Sequence, residues 1–225
     1  MTILAVIGEN VLTARGAAAR GFIVRDEVGR WELHARCTGA TFAMSRGRGS
    51  WTVHEVDGPC AEAAGNLLLA SAGEREQAAT LMTAGHLVVG YQGTAAAASL
   101  TEHLAPSTAA RADTPTYAGE VIVRHLIRYL SSRALSTDAA LANVAFDLRR
   151  ARELGEVAFV CSDGASVYAY AMGCSLNVAR RERAIVIGTA DVLPLATDVR
   201  EMPSETMIVC RREPVLCWSV LLRGR

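Results

Sequence analysis

Thr2 is the residue with the most direct route to chemistry. It opens the apolar stretch "MTILAVIG", and a starting methionine is normally removed when the second residue is this small. The freed α-amine can act as base for the hydroxyl of the same residue, giving an N-terminal threonine nucleophile. The plain alternative is a common second residue with no such task. Other reactive groups are sparse. All 23 basic residues are arginine, which excludes Schiff-base, P-loop and general-base lysines, and with them a lysine to assist Thr2. The five histidines are dispersed without His/Cys ligand spacing, so neither a metal nor another cofactor is expected. Six cysteines (Cys37, Cys60, Cys161, Cys174, Cys210 and Cys217) form no CxxC pair and read as reduced core residues. Arg46 and Arg48, set between glycines, can hold an anion, but a solvated loop is the favoured reading.

The bulk properties narrow the classes. A chain of 225 residues that is 51% hydrophobic and 20% charged has enough apolar surface for one substantial core, read as a single domain over 1–225. Zero formal net charge argues against nucleic acid or an anionic membrane as partner. No apolar run approaches the roughly 20 residues of a bilayer span. No basic segment precedes the first apolar residues, so no signal peptide is read and a cytoplasmic location is expected.

The elements that would position Thr2 follow from periodicity. Residues 2–7 form a strand, and "GFIVRDEVGRWELHAR" reads as a hairpin turning at Asp26–Gly29. Thr38–Ser50 reads as a loop, "WTVHEVDG" as an alternating strand, and "NLLLASAG" and "HLVVGYQG" as buried central strands ending in glycine. A short helix is expected over 94–104, then a polar linker from Pro106 to Pro115. Helices are expected over roughly 116–133 and 137–153, the second capped by Ser136 and stopped by Gly155. The last third returns to strands: "EVAFVCSDG", "SVYAYAMG", "RAIVIGT", "ETMIVC" and "PVLCWSVLL". Strands, then helices, then strands suggest stacked antiparallel sheets with helices outside.

Several short stretches in that last third, taken in order, resemble the closing part of the class II glutamine amidotransferases, members of the N-terminal-nucleophile (Ntn) hydrolases. They are Ser162-Asp163-Gly164, Tyr168-Ala169-Tyr170, Ala190–Leu195 and Pro203–Val209. The resemblance implies an α+β fold, a four-layer αββα sandwich. Its catalytic motifs are altered. The family's N-terminal cysteine is matched by Thr2, and its Arg-Trp-Ala-Thr-His-Gly strand by Leu68-Leu69-Ala70-Ser71-Ala72-Gly73. Its oxyanion-forming His-Asn-Gly is matched by Tyr91-Gln92-Gly93, and its Asp-Thr-Glu by Ala118-Gly119-Glu120. Only Ala70, Gly73, Gly93 and Glu120 are identical.

Sorted by role, the changes point one way. The family's arginine for the glutamine carboxylate is Leu68 here, and its aspartate for the ammonium is Ala118. The acyl-transfer groups are changed more gently. Thr2 keeps an oxygen nucleophile, Gln92 a primary amide and Gly93 a backbone N–H. Ser71 and Tyr91 fall at pocket-wall positions. Two functions follow. The first is a domain that has lost glutaminase activity and works as a binding or accessory subunit, alone as a homo-oligomer or with a synthetase-like protein of the ATP-dependent amide-forming kind. The chain ends, at "PVLCWSVLLRGR", near where such a domain would hand over to a synthetase domain. The second is a Thr2-dependent amidohydrolase or acyltransferase acting on an uncharged amide or ester.

Overall fold

Thr2–Arg15 forms strand β1, the strand around which one of two sheets is assembled. The structure, a computed structural model, describes residues 2–15, 22–26, 29–33, 40–45, 51–55, 63–72, 81–84, 86–104, 115, 117–133, 135–181, 184–189, 199–211 and 216–220. Within these, β2 (Phe22–Asp26), β3 (Gly29–Leu33), β4 (Ala40–Ser45), β5 (Trp51–Glu55), β6 (Ala63–Ala72), β7 (Met82–Ala84) and β8 (Leu87–Gly93) follow β1. Helices α1 (Ala97–Leu104), α2 (Ala118–Arg133) and α3 (Thr137–Arg150) come next. Then come β9 (Val157–Ser162), β10 (Ser166–Met172), β11 (Asn177–Arg181), β12 (Ala184–Gly188), β13 (Val199–Glu201), β14 (Thr206–Arg211) and β15 (Leu216–Val220).

A nine-stranded sheet runs β13-β11-β12-β1-β6-β4-β5, with β2 on β1 and β3 on β2. A six-stranded sheet runs β15-β14-β10-β9-β8-β7. Every described pairing is antiparallel. The hairpin read at Asp26–Gly29 is present, those two residues being partners. β1 lies between β12 and β6, so Thr2–Ile7 is central as expected, and its register on β6 shifts between Ile7 and Val11.

The inner strands of the six-stranded sheet, β8, β9, β10 and β14, are buried on both faces, which is why they read as near-continuous apolar runs. Large side chains alternate to one face: Leu87, Val89 and Tyr91 on β8, Phe159 on β9, Tyr168 and Tyr170 on β10, all packed with the helices. Small ones alternate to the other: Val88, Ala158, Val160, Ala169 and Ala171, packed with Ala5 and Leu69 of the nine-stranded sheet. Alanines at that interface let the two sheets approach closely. The order helix, sheet, sheet accounts for three layers of the expected αββα sandwich; a helical layer over the nine-stranded sheet is not among the described residues.

α2 and α3 lie side by side on the six-stranded sheet, as expected. α2 begins at Ala118 and α3 ends at Arg150, followed by a 3₁₀ turn (Arg152–Leu154) and then Gly155 at φ 126°, a left-handed conformation that favours glycine. Ser136 caps α3 from an extended backbone, its Oγ accepting the Ala139 N–H at 3.3 Å. Ser136→Ala is expected to lower stability by about 0.5–1 kcal/mol. Denaturant unfolding checks this as a lower midpoint with an unchanged slope.

One expectation is corrected. Thr38–Ser50 is not a loop throughout, because Ala40–Ser45 is strand β4, paired with both β5 and β6. The alternation of Ala40, Phe42 and Met44 with Thr41, Ala43 and Ser45 outweighs the flanking Gly/Arg punctuation. Arg46 and Arg48, most of the 106–115 linker and Ala190–Leu195 lie outside the described residues.

Candidate functional site

The Ser162-Asp163-Gly164 stretch is a structural turn. Asp163 Oδ1 accepts the backbone N–H groups of Ala165 (2.9 Å) and Ser166 (2.8 Å), and Ser162 Oγ accepts the Gly164 N–H and donates to the Ser166 carbonyl. It closes the β9–β10 hairpin. Tyr168 of the next stretch donates its hydroxyl to Asp138 at 2.6 Å, tying β10 to the first turn of α3.

The catalytic candidates come from β1, β6 and β8. Thr2 stands beside Ala72 in the β1–β6 register, and Ala72 beside Ala40 of β4. Leu68 pairs with Val6 and Met44, and Ser71 with Ile3 and Thr41. Gly73 lies outside the described residues. Across the inter-sheet core, β1 and β6 pack over β8. Gln92 pairs with Ala158, a member of that core, so Gln92 is on the inter-sheet face of β8. Its Oε1 is buried and has no hydrogen-bond partner among the described residues.

Gly93 ends β8 in tight quarters. A β-carbon built there would overlap the Glu156 carbonyl oxygen and lie 2.6 Å from Tyr91 Oη. The Glu156 carbonyl accepts the N–H groups of Thr94 (3.0 Å) and Ala95 (3.2 Å), while Thr94 Oγ1 accepts the Glu156 N–H at 3.1 Å. This reciprocal clamp fixes the chain just beyond Gln92 and Gly93, as an oxyanion-binding turn would require.

Tyr91 and Ala118 are placed elsewhere. Tyr91 pairs with Phe159 and belongs to the core beneath the helices, on the opposite face of β8 from Gln92. It meets Tyr117 edge to face at 5.5 Å. Burial, then the neighbouring Tyr117 and Cys174, raises the Tyr91 phenol well above its ordinary range, and burial pushes Tyr117 up to about 12. Both stay protonated at neutral pH, so neither is a base. Ala118, 5% exposed, starts α2 in the same apolar cluster. A β-carbon at Gly119 would lie 2.9 Å from that of Tyr91, which shows how closely the first turn of α2 abuts β8. Glu120 turns outward to an ion pair with Arg124.

The structure therefore gathers Thr2, Leu68 and Ala72 on neighbouring strands and Gln92 and Gly93 at a clamped strand end. Tyr91 and Ala118 lie on the opposite face of β8 from Gln92. Among the described residues no group of three His, Cys, Asp or Glu gathers as metal ligands, and no helix is long and apolar enough to cross a membrane.

No protein-family profile and no curated protein matches the sequence. Solved structures do match in three dimensions. Glutamine phosphoribosylpyrophosphate amidotransferase from B. subtilis, complexed with ADP and GMP, superposes on all of this chain with a TM-score of 0.65 at 15% identity. The chain has the class II glutamine amidotransferase fold. It spans 50% of that enzyme's length. A glutamine aminotransferase class-II domain protein from Silicibacter pomeroyi aligns over 98% of both chains with a TM-score of 0.60 at 14% identity. A predicted glutamine amidotransferase from Pseudomonas aeruginosa PA01 aligns over 96% of this chain and 99% of its own, at 0.60 and 11%.

A polar cluster that the sequence reading missed lies in the helix layer. His125, in the buried stripe of α2, and Tyr129 both bond Asp147 of α3. The signal was a histidine and a tyrosine four residues apart, on one face of a helix.

Proposed function

We propose that this chain is a single amidotransferase-type domain that does not use free glutamine and acts by binding, as an accessory subunit of an ATP-dependent amide-forming, asparagine synthetase-like enzyme in the cytoplasm. One observation carries the reading. The position matched to the family's ammonium-binding aspartate is Ala118, buried in an apolar cluster on the helix side of β8. The position matched to the carboxylate-binding arginine is Leu68, between Val6 and Met44. An α-carboxylate beside Leu68, or an α-ammonium beside Ala118, would lack a charged partner and meet the penalty of an uncompensated charge, several kcal/mol.

Isothermal titration of the full chain with glutamine tests this. No saturable heat is expected up to millimolar glutamine; saturation with a Kd below about 1 mM would overturn the reading. Thr2→Ala, which removes only a hydroxyl and a methyl group, is expected to change stability by no more than about 0.5 kcal/mol. Thermal unfolding of the two proteins side by side checks it.

A second reading rests on Gln92. Its amide oxygen is buried without a hydrogen-bond partner among the described residues, beside the Gly93–Glu156 clamp; a half-turn of the terminal amide exchanges its O and N and would present the NH2 donor to a carbonyl oxygen there. In that reading Thr2 is the nucleophile of an amidohydrolase or acyltransferase whose substrate is uncharged.

A further inference from the structure

β14 and β15 form the last hairpin of the six-stranded sheet, and β15 is an edge strand, paired among the described residues with β14 alone. In their register Cys210 stands directly opposite Cys217, next to the Arg211–Leu216 pair. Residues directly opposite on antiparallel strands have Cα atoms about 4.5 or 5.5 Å apart, according to whether the pair is hydrogen-bonded. Both separations fall inside the roughly 4.4–6.8 Å that a disulfide spans. Residues so paired also share a face of the sheet, and here it is the face of the inter-sheet core, to which Cys210 belongs.

Among the described residues this is the one place where two cysteines face each other. Cys161 stands opposite Val89 and Tyr168, and Cys174 lies between β10 and β11. Cys37 and Cys60 lie outside the described residues.

The position at the edge supplies a route for exchange. Cys210 is fully buried, so no dissolved oxidant reaches it in the closed sheet. β15 has a single described ladder to lose, and strands held on one side open more readily than those inside a sheet. Its opening uncovers the β14 partner residues, Cys210 among them.

We propose that Cys210 and Cys217 are a thiol–disulfide site that locks the edge of the six-stranded sheet when the surroundings turn oxidising. The oxidant is a low-molecular-weight disulfide such as oxidised glutathione. One cysteine thiolate attacks a glutathione sulfur, forms a mixed disulfide and expels one glutathione thiolate. The second cysteine, deprotonated, attacks the protein sulfur of that mixed disulfide and expels the other. The protein gives up two electrons and two protons, and the oxidant is reduced to two glutathione thiols. The site does not depend on the reading given to the amidotransferase-type site.

Tryptic mapping of the native full chain after incubation with oxidised glutathione tests it. Arg211 and Arg212 lie between the two cysteines, so trypsin places them on separate peptides, residues 201–211 and 213–223. After alkylation and digestion without reductant, these two peptides should appear linked, with no glutathione attached, and should separate on reduction. The oxidised protein should unfold at a higher denaturant midpoint than the reduced protein. Cys217→Ser should remove both the link and the shift, whereas Cys174→Ser should leave both in place. Absence of the link in the native chain, whether its thiols stay unmodified or carry glutathione, would overturn the proposal. So would a link to a third cysteine, a link that forms only in denaturant, or an oxidised midpoint no higher than the reduced one.

Discussion

Incubated with free glutamine, the protein is expected to release ammonia and glutamate only at the background rate, far below the roughly 1 s⁻¹ at which enzymes commonly begin. Two independent deficits lead there. Glutamine carries two charges, and the matched positions offer Leu68 and Ala118 in place of a guanidinium and a carboxylate. Losing one partner of a buried ion pair costs about 3–5 kcal/mol, so either loss alone weakens binding by more than a hundredfold. The nucleophile is weaker as well. A threonine hydroxyl needs a base, and the chain contains no lysine to assist the α-amine. A coupled glutamate assay checks the prediction, and turnover near 1 s⁻¹ would contradict it.

Gly93→Ala is expected to be the most damaging small substitution in the described site. The new methyl would overlap the Glu156 carbonyl oxygen, which belongs to backbone and cannot rotate away, and would lie 2.6 Å from Tyr91 Oη. Relief requires moving the end of β8, which breaks the bonds from Thr94 and Ala95 to Glu156. Overpacking and lost backbone bonds together should remove about 3 kcal/mol or more, well above the effect of Ser136→Ala. Denaturant midpoints of the two variants and the wild type decide the order. A Gly93→Ala protein as stable as wild type would show that the strand end is not clamped.

The readable parts of the sequence are those in which pattern and environment agree. β8, β9, β10 and β14 are apolar on both faces, so their composition alone marked them as interior strands. β4 was hidden because glycines and arginines follow it, although its own alternation is regular. β11 was hidden because "NVARR" has two apolar residues and owes its strand state to pairing with β12 and β13, a non-local cause. The same distinction applies to the site. Thr2, Gln92 and Gly93 were singled out from ordered motifs, and they lie at the start of β1 and the end of β8. Tyr91 was read as a pocket wall, but one residue of alternation from Gln92 turns it to the helices. Asp147 was out of reach for periodicity, because its partners His125 and Tyr129 lie 22 and 18 residues away on another helix.

Whether the start of β1 is catalytic decides between a binding domain and an enzyme. Intact-mass analysis of the purified protein after treatment with an activated acyl probe reads both requirements together. A Thr2 nucleophile demands that Met1 be absent, since a blocked amine cannot serve as base, and that the hydroxyl capture one acyl group. The binding-domain account predicts no adduct on Thr2, whether or not Met1 is retained. A single acyl adduct mapped to Thr2 in the wild type and missing from Thr2→Ala would contradict it.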